Sequence, residues 1–382
     1  MNIVIAPDSF KGSASAKEIA GFIKNGILTV DPSTNCMSLP ISDGGEGFCD
    51  AMLAISGGER FSMQVVGADG HQQDASWAKL LDGTAIIELA QASGHISSYQ
   101  DLNAMSTTTY GTGELIHAAI ESGSRNIIVG LGGSASTDGG MGLLQALGIS
   151  FKDKAGRELG YGGGELANLH EIDITGLDPQ VKECEFIVAC DVNNPLTGQN
   201  GAAEIFGPQK GATPEMVNEL DNNLANFAIK ARPFVEQDLS ALPGAGAAGG
   251  TCFGLMVFCG AAMKRGIDVI LDKANFEDLL KDADLVITGE GCIDEQTIFG
   301  KAPIGVALRV KEAFPQLPVI AVCGYKGPGA EKVLNYGVDE IVEINTSISK
   351  NCAMKKVKEL TERAAAKIMT KFVKKEVIVL PL

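Results

Sequence analysis

The sequence predicts an α/β protein of two domains, one inserted into the other, on three observations. Short β-branched runs alternate with longer amphipathic patterns at both ends of the chain, and strand-like runs follow one another directly in the middle. The 382 residues also exceed a single domain of about 150. The two ends are expected to close one mainly parallel sheet, residues 1–60 with 270–382, and 61–269 to form the mixed α/β insert.

Asn2 to Ala6 reads as a buried strand. A helix follows from Ser15 to Leu28, with Ile19, Phe22, Ile23 and Ile27 on one face and Ser13 or Ser15 as its cap. The runs Phe61 to Val66, Asp74 to Leu81 and Thr84 to Leu89, with Asp69-Gly70 and Asp82-Gly83 between them, read as an antiparallel meander. Glu185 to Val188 reads as a further strand. In the last third, Asp284 to Thr288, Pro318 to Val322 and Glu340 to Ile344 read as strands. Helices are expected near Ala302 to Phe314, Ala330 to Tyr336 and Met354 to Val373.

Composition narrows the classes. Hydrophobic residues at 45% and charged residues at 20% are the balance of a globular chain. With 47 glycines against 1 Trp and 5 Tyr, many tight loops and an aliphatic core are expected. A net charge of -16 without a basic patch argues against nucleic-acid binding. The longest apolar stretch, near Gly254 to Met263, falls short of the roughly 18 residues that span a bilayer, and the N-terminus lacks the pattern of a signal peptide. A cytoplasmic protein is expected, with no membrane partner. The nine cysteines, without CxxC pairs, read as reduced and mostly buried thiols.

Chemistry concentrates in loops where glycines flank carboxylates. These are Ser42-Asp43-Gly44-Gly45-Glu46-Gly47, Gly132-Gly133-Ser134-Ala135-Ser136-Thr137-Asp138-Gly139-Gly140, and Gly289-Glu290-Gly291-Cys292-Ile293-Asp294. Converging N–H groups in such loops cradle an anion such as phosphate, and adjacent carboxylates suit Mg²⁺, which shares its site with phosphate oxygens. The chain has only seven arginines and none lies in these loops, whereas Lys11, Lys210 and Lys301 each adjoin a glycine. Lysine charges on phosphate oxygens suit phosphoryl transfer, where positioning and electrostatics dominate.

Asp191, in Ala189-Cys190-Asp191-Val192-Asn193-Asn194-Pro195-Leu196, follows a strand, where open α/β sheets present catalytic groups. Other motifs are weaker. No Walker A pattern surrounds Gly300-Lys301. Gly244 to Gly249 matches GxGxxG, but no strand feeds it, which disfavours an NAD-dependent oxidoreductase. The histidines are dispersed, with only His95 in a loop of interest, so Ser-His-Asp hydrolysis has little support.

Taken together, Ile5 to Ser13, Ser42 to Gly47, Gly130 to Gly142, Ala189 to Leu196, Phe206 to Gly211, Gly246 to Gly250 and Ile287 to Asp294 with Gly300 to Pro303 occur in an order that resembles the bacterial glycerate kinase family, over nearly the whole chain. The resemblance implies a flavodoxin-like or Rossmann-like parallel-sheet domain, an inserted α/β domain and an active site in the cleft between them. It implies ATP- and Mg²⁺-dependent phosphorylation of D-glycerate to 2-phosphoglycerate, with 3-phosphoglycerate less favoured, by a monomer or homodimer. The rivals are the oxidoreductase and a noncatalytic organic-acid-binding protein.

On this reading Asp191 orients and deprotonates the acceptor hydroxyl, and Lys11 and Asp43 complete the catalytic set. Asp8, Ser9, Gly44, Gly45, Gly132, Gly133, Ser134, Lys210 and Glu290 bind substrate or phosphate, and Asp138 and Asp294 bind Mg²⁺. Two positions depart from the family pattern: Cys292 stands where arginine is common, and Asn193 where aspartate is common.

Overall fold

Residues 1–42, 44–94, 103–345 and 349–379 are described by the structure, a computed structural model; the side chains of 350 and 374–379 are excluded. Asp43 and His95 therefore lie outside the described residues. The chain divides into two units, 1–43 with 50–55 and 267–382, and 44–49 with 56–266. The chain passes between the units at 43/44, 49/50, 55/56 and 266/267. The excursion 44–49 had no sequence signal.

The first unit is built on a fully parallel sheet, ordered Glu340–Glu343, Val319–Lys326, Leu285–Ile293, Asn2–Pro7, Asn35–Ser38. Counted along this unit alone the order is 2-1-3-4-5, the flavodoxin-like doubly wound arrangement. Helices cover both faces of such a sheet, so its central strands are apolar without alternation. Ile3, Val4 and Ile5 are accordingly all fully buried, as are Leu285, Val286 and Ile287. One face packs on Ile19, Ile23 and Ile27 of helix Ala16–Val30 and on Leu360, Ala364 and Ile368 of helix Val357–Val379. Ser15 is the cap of the first helix and forms a capping box with Glu18; Phe22, expected on the buried face, is half-buried.

The second unit carries a mixed sheet ordered Ala262–Lys264, Glu185–Ala189, Asn126–Gly130, Ala85–Glu88, Gln72–Leu80, Gly58–Val66. The first four strands are parallel and the last two add the antiparallel meander. Its turns use the expected chemistry: Gly83 has φ +85° and Asp82 Oδ1 accepts from Thr84 N at 3.1 Å, while Asp69 Oδ1 accepts from His71 N at 2.9 Å. The core is mainly aliphatic but not wholly so. Phe227 packs against Phe151 and Phe253 at ring separations of 6.0 and 5.5 Å, and buried Trp77 stacks on Phe61 at 4.8 Å.

Three local expectations are corrected. Gly289 to Ile293 is the end of a long strand rather than a loop, because Gly289 serves close approach: a Cβ there would lie 2.0 Å from Val322 O. Ala330–Tyr336 is a 3₁₀ helix. The expected final helix breaks at Lys356 into Lys350–Lys355 and Val357–Val379. The strands Asn35–Ser38, Ser150–Lys152, Glu171–Asp173 and Ala262–Lys264 are too short to carry a period-2 signal.

Candidate active site

In the first unit, the carboxyl ends of the two central strands bring separate motifs together. Pro7 pairs with Gly289, so Asp8 and Glu290 emerge side by side where the strand order reverses. Asp8 is buried; its N–H donates to Gly289 O at 2.8 Å and its Oδ1 accepts from Ser9 N at 2.6 Å. The turn from Phe10 to Ala14, with Gly12 at φ +76°, leaves Lys11 exposed. A cavity of about 870 Å³ opens here, bordered by Asp8, Ser9, Lys11, Glu290, Cys292 and Lys301.

Glu290 is held by its neighbours. Thr297 Oγ1 donates to its Oε1 at 2.6 Å, and Lys301 Nζ lies 3.6 Å from its Oε2 and 3.6 Å from Asp294 Oδ1. Burial raises the Glu290 pKa, with the Lys301 charge opposing. Asp294 also caps the 3₁₀ turn Glu295–Phe299, accepting from Gln296 N at 2.9 Å. Lys301 occupies the N-cap position of helix Ala302–Ala313, whose partial positive charge adds to its own.

The acidic donors here are carboxylate oxygens, with the Cys292 thiol also on the wall. Among the described residues no three His, Cys, Asp or Glu side chains form a metal cage. Glu290 on the cavity wall and Asp294, joined to it through Lys301, nevertheless fit Mg²⁺, which takes one or two carboxylates from protein and the remaining oxygens from phosphate and water. Glu290 and Asp294 meet that requirement.

In the second unit, the glycines of two motifs permit close approach. A Cβ on Gly130 would lie 2.5 Å from Gly44 O, and one on Gly132 would lie 2.4 Å from Gly45 Cα. The loop 132–140 thus runs against Gly44 and Gly45, and Gly132 N donates to Gly44 O at 3.3 Å. Gly133 takes φ +75°. Ser134 is buried and its Oγ accepts from Lys210 Nζ at 2.8 Å, while the same ammonium donates to Ser136 O at 2.5 Å.

Asp138 and Lys210 are therefore placed differently from the expectation. Asp138 is fully buried and accepts from Thr109 N, Thr109 Oγ1, Gly140 N and Gly142 N at 2.9, 2.8, 3.1 and 3.2 Å. Oδ2 accepts three of these bonds and Oδ1 one, all inside a fully buried loop, so the expected Mg²⁺ role does not fit. Burial raises its pKa, and these hydrogen bonds oppose the rise. Lys210, also buried, grips the glycine loop from inside rather than offering its charge to a ligand. Desolvation pulls its pKa down to about 7, against the attraction of Asp138.

Asp191 lies just beyond strand Glu185–Ala189, half-buried, with Oδ1 accepting from Gly266 N at 3.2 Å. The segment after it is clasped by the Gly244 to Gly250 cluster: Gly244 N and Gly246 N both donate to Asn194 O, at 3.1 and 2.9 Å. A Cβ on Gly246 would lie 2.2 Å from Pro195 O and one on Gly249 2.2 Å from Ser136 O. These glycines serve packing, and Asp238 to Pro243 forms no strand, so the arrangement is not a dinucleotide fingerprint.

The structure places Asp8, Ser9, Lys11, Glu290 and Asp294 in the first unit and the remaining described candidates in the second, including Gly44 and Gly45, which were expected in the first. Sequence reasoning missed Tyr325, Glu343, Asn345 and Met354, which border the cavity. Tyr325 and Asn345 follow strands expected from the sequence and Glu343 lies near the end of one, so their carboxyl-end positions were the available signal. All nine cysteines are free thiols, of which Cys49, Cys190, Cys252 and Cys323 are buried and Cys352 is exposed. No helix among the described residues is long and apolar enough to cross a membrane.

Known proteins resemble this chain over most of its length. The chain is 48% identical over 350 residues to the glycerate 2-kinase of Escherichia coli (strain K12), covering 91% of each chain. It is 45% identical over 346 residues to the glycerate kinase of Bacillus subtilis (strain 168), covering 90% of each. A crystal structure from Salmonella typhimurium LT2, provisionally named glycerate kinase 2, superposes with a TM-score of 0.87 at 42% identity, covering 98% of this chain and 99% of that one. Residues 3–373 match the Glycerate kinase family, and the chain belongs to that family.

Proposed function

We propose that the chain transfers the γ-phosphoryl group of ATP to the 2-hydroxyl of D-glycerate, giving 2-phosphoglycerate and ADP. The observation that carries this reading is the juxtaposition of Asp8, Glu290, Lys11 and Lys301 around one cavity, in a member of this family. Lysines and a helix N-terminus stabilise phosphate charge, while carboxylates bind a shared divalent cation or substrate hydroxyls.

In the reaction the glycerate oxygen forms a bond to the γ-phosphorus as the bond to the β,γ-bridging oxygen breaks. The hydroxyl proton passes to a carboxylate, and Asp191 is assigned that role. Its support is its position past the end of a parallel strand, where open sheets present catalytic groups. Glu290 and Asp294 would hold Mg²⁺, which would neutralise phosphate charge. Lys11 and Lys301 stabilise charge on phosphate or carboxylate oxygens. Gly44, Gly45, Gly132, Gly133 and Ser134 form the second unit's substrate loop, which Asp138 and Lys210 position from inside.

The test is steady-state kinetics of Asp191→Asn. Loss of a general base lowers kcat by about 10²- to 10⁴-fold while thermal stability is retained. A kcat within tenfold of wild type removes Asp191 from that role.

A further inference from the structure

We propose that the cavity in the first unit is the nucleoside subsite, holding adenine and ribose of ATP with the polyphosphate toward Asp8 and Glu290. This rests on the kinase reading and deepens it by assigning one of the two substrates.

Size is the first argument. A cavity of about 870 Å³ matches pockets for ligands of nucleotide size, which span about 300–1,000 Å³. Glycerate has three carbons and a polar group on each, so it would leave most of this volume unfilled. It also has no apolar face to set against Phe10, Tyr325, Ile344 and Met354, which border the same cavity.

Position is the second. The cavity lies at the carboxyl edge of a 2-1-3-4-5 sheet, where the chain leaves Asn2–Pro7 in one direction and Leu285–Ile293 in the other. Neighbouring crossovers diverge at that point and leave a crevice, which is why ligands bind there in open sheets.

The order of the strands supplies the third argument. Charged Asp8, Lys11 and Glu290 come from the two central strands and their loops, and Lys301 from the helix start that follows. The next strands outward bring Tyr325, 56% exposed, and then Glu343, Ile344 and Asn345. An exposed aromatic ring at a cavity wall offers a stacking face for a purine. Asn345 carries both donor and acceptor groups for a base edge, and Glu343 is an acceptor for ribose hydroxyls. Both lysines of the lining, Lys11 and Lys301, thus stand by the sheet centre and Tyr325, Glu343 and Asn345 lie outward, an order that suits triphosphate at the centre and nucleoside toward the edge.

The experiment is photolabelling of the full chain with 8-azido-ATP and Mg²⁺, followed by peptide mapping, with kinetics of Tyr325→Ala and Met354→Glu alongside. The expected label falls on peptides carrying Tyr325 or Met354 and is suppressed by ADP. Label on 189–196 or 244–254, or label that ADP does not suppress, overturns the assignment. In the kinetics, KM for ATP rises about tenfold or more and KM for glycerate stays within twofold; the reverse split also overturns it. Tyr325 is exposed, so its truncation tests the wall without disturbing the core. Absence of glycerate turnover defeats the kinase reading, whereas the label map still decides where the nucleotide binds.

Discussion

Lys210 illustrates how a single side chain is committed by its surroundings. Its stem and ammonium are buried, and the ammonium donates to Ser134 and Ser136. Replacing it by Met leaves those acceptors unsatisfied, at a cost of about 1–3 kcal/mol. The pH dependence follows from its lowered pKa. Below about pH 7 both folded and unfolded forms carry the proton, and the desolvation cost is constant. From pH 7 up to the ordinary lysine range the unfolded chain binds more protons, so wild-type stability gains with rising pH. Lys210→Met lacks this gain. Chemical denaturation at pH 6 and pH 9 is therefore expected to show a larger stability difference between the two proteins at pH 9. An equal difference at both pH values argues that Lys210 does not titrate in this range.

At this scale the sequence marked which residue types carry chemistry but not which way they face. Asp8, Lys11 and Glu290 border one cavity, and Asp294 stands beside Lys301. Asp138 looks the same in sequence, between Thr137 and Gly139, yet its oxygens point into the loop it stabilises. Only the position of Thr109, 29 residues earlier, distinguishes a brace from a ligand, and that is long-range information.

At the scale of elements, glycine has two distinct uses that sequence alone does not separate. In helix Ala16–Val30, a Cβ at Gly26 would lie 2.2 Å from Glu362 O, so the helix approaches Val357–Val379 through a bare backbone. Gly21 of the same helix has nothing within 4 Å of its Cβ position. Gly26→Ala is expected to destabilise by about 1–3 kcal/mol through overpacking. Gly21→Ala is expected to stabilise by about 0.5–1 kcal/mol through reduced unfolded-chain entropy. Urea denaturation of the pair checks the opposite signs, and a shared sign contradicts the packing account.

The same duality explains which elements were legible. Apolar runs such as Asn2–Pro7, the turn residues of the meander and the capping box of Ser15 are local signals, and each produced the element expected. Gly289 and Gly291 read as loop residues because glycine at a strand end normally signals a turn. Here they let strands and the Phe10 turn approach closely, and the strand continues through them. The break at Lys356 carries no Pro or Gly and so had no sequence marker.

At the scale of the molecule, each unit has its own core: one around the 2-1-3-4-5 sheet and one around the mixed sheet. The net charge of -16 means that both anionic substrates approach against the overall field. In the proposed function, local groups offset that field: the lysines and helix start beside the cavity and the glycine loop of the second unit. The fold class was readable because alternation of strands and helices is repeated along the chain. The flavodoxin-like strand order was implied by family resemblance, since pairing between Asn2–Pro7 and Leu285–Ile293 joins segments that no local pattern connects.

The central claim is phosphorylation of D-glycerate at its 2-hydroxyl, and phosphorus NMR of the purified protein with ATP, Mg²⁺ and D-glycerate tests it most directly. The account predicts a 2-phosphoglycerate resonance growing with that of ADP. A 3-phosphoglycerate resonance contradicts the choice of hydroxyl, and ADP without any phosphate ester of glycerate contradicts the kinase itself.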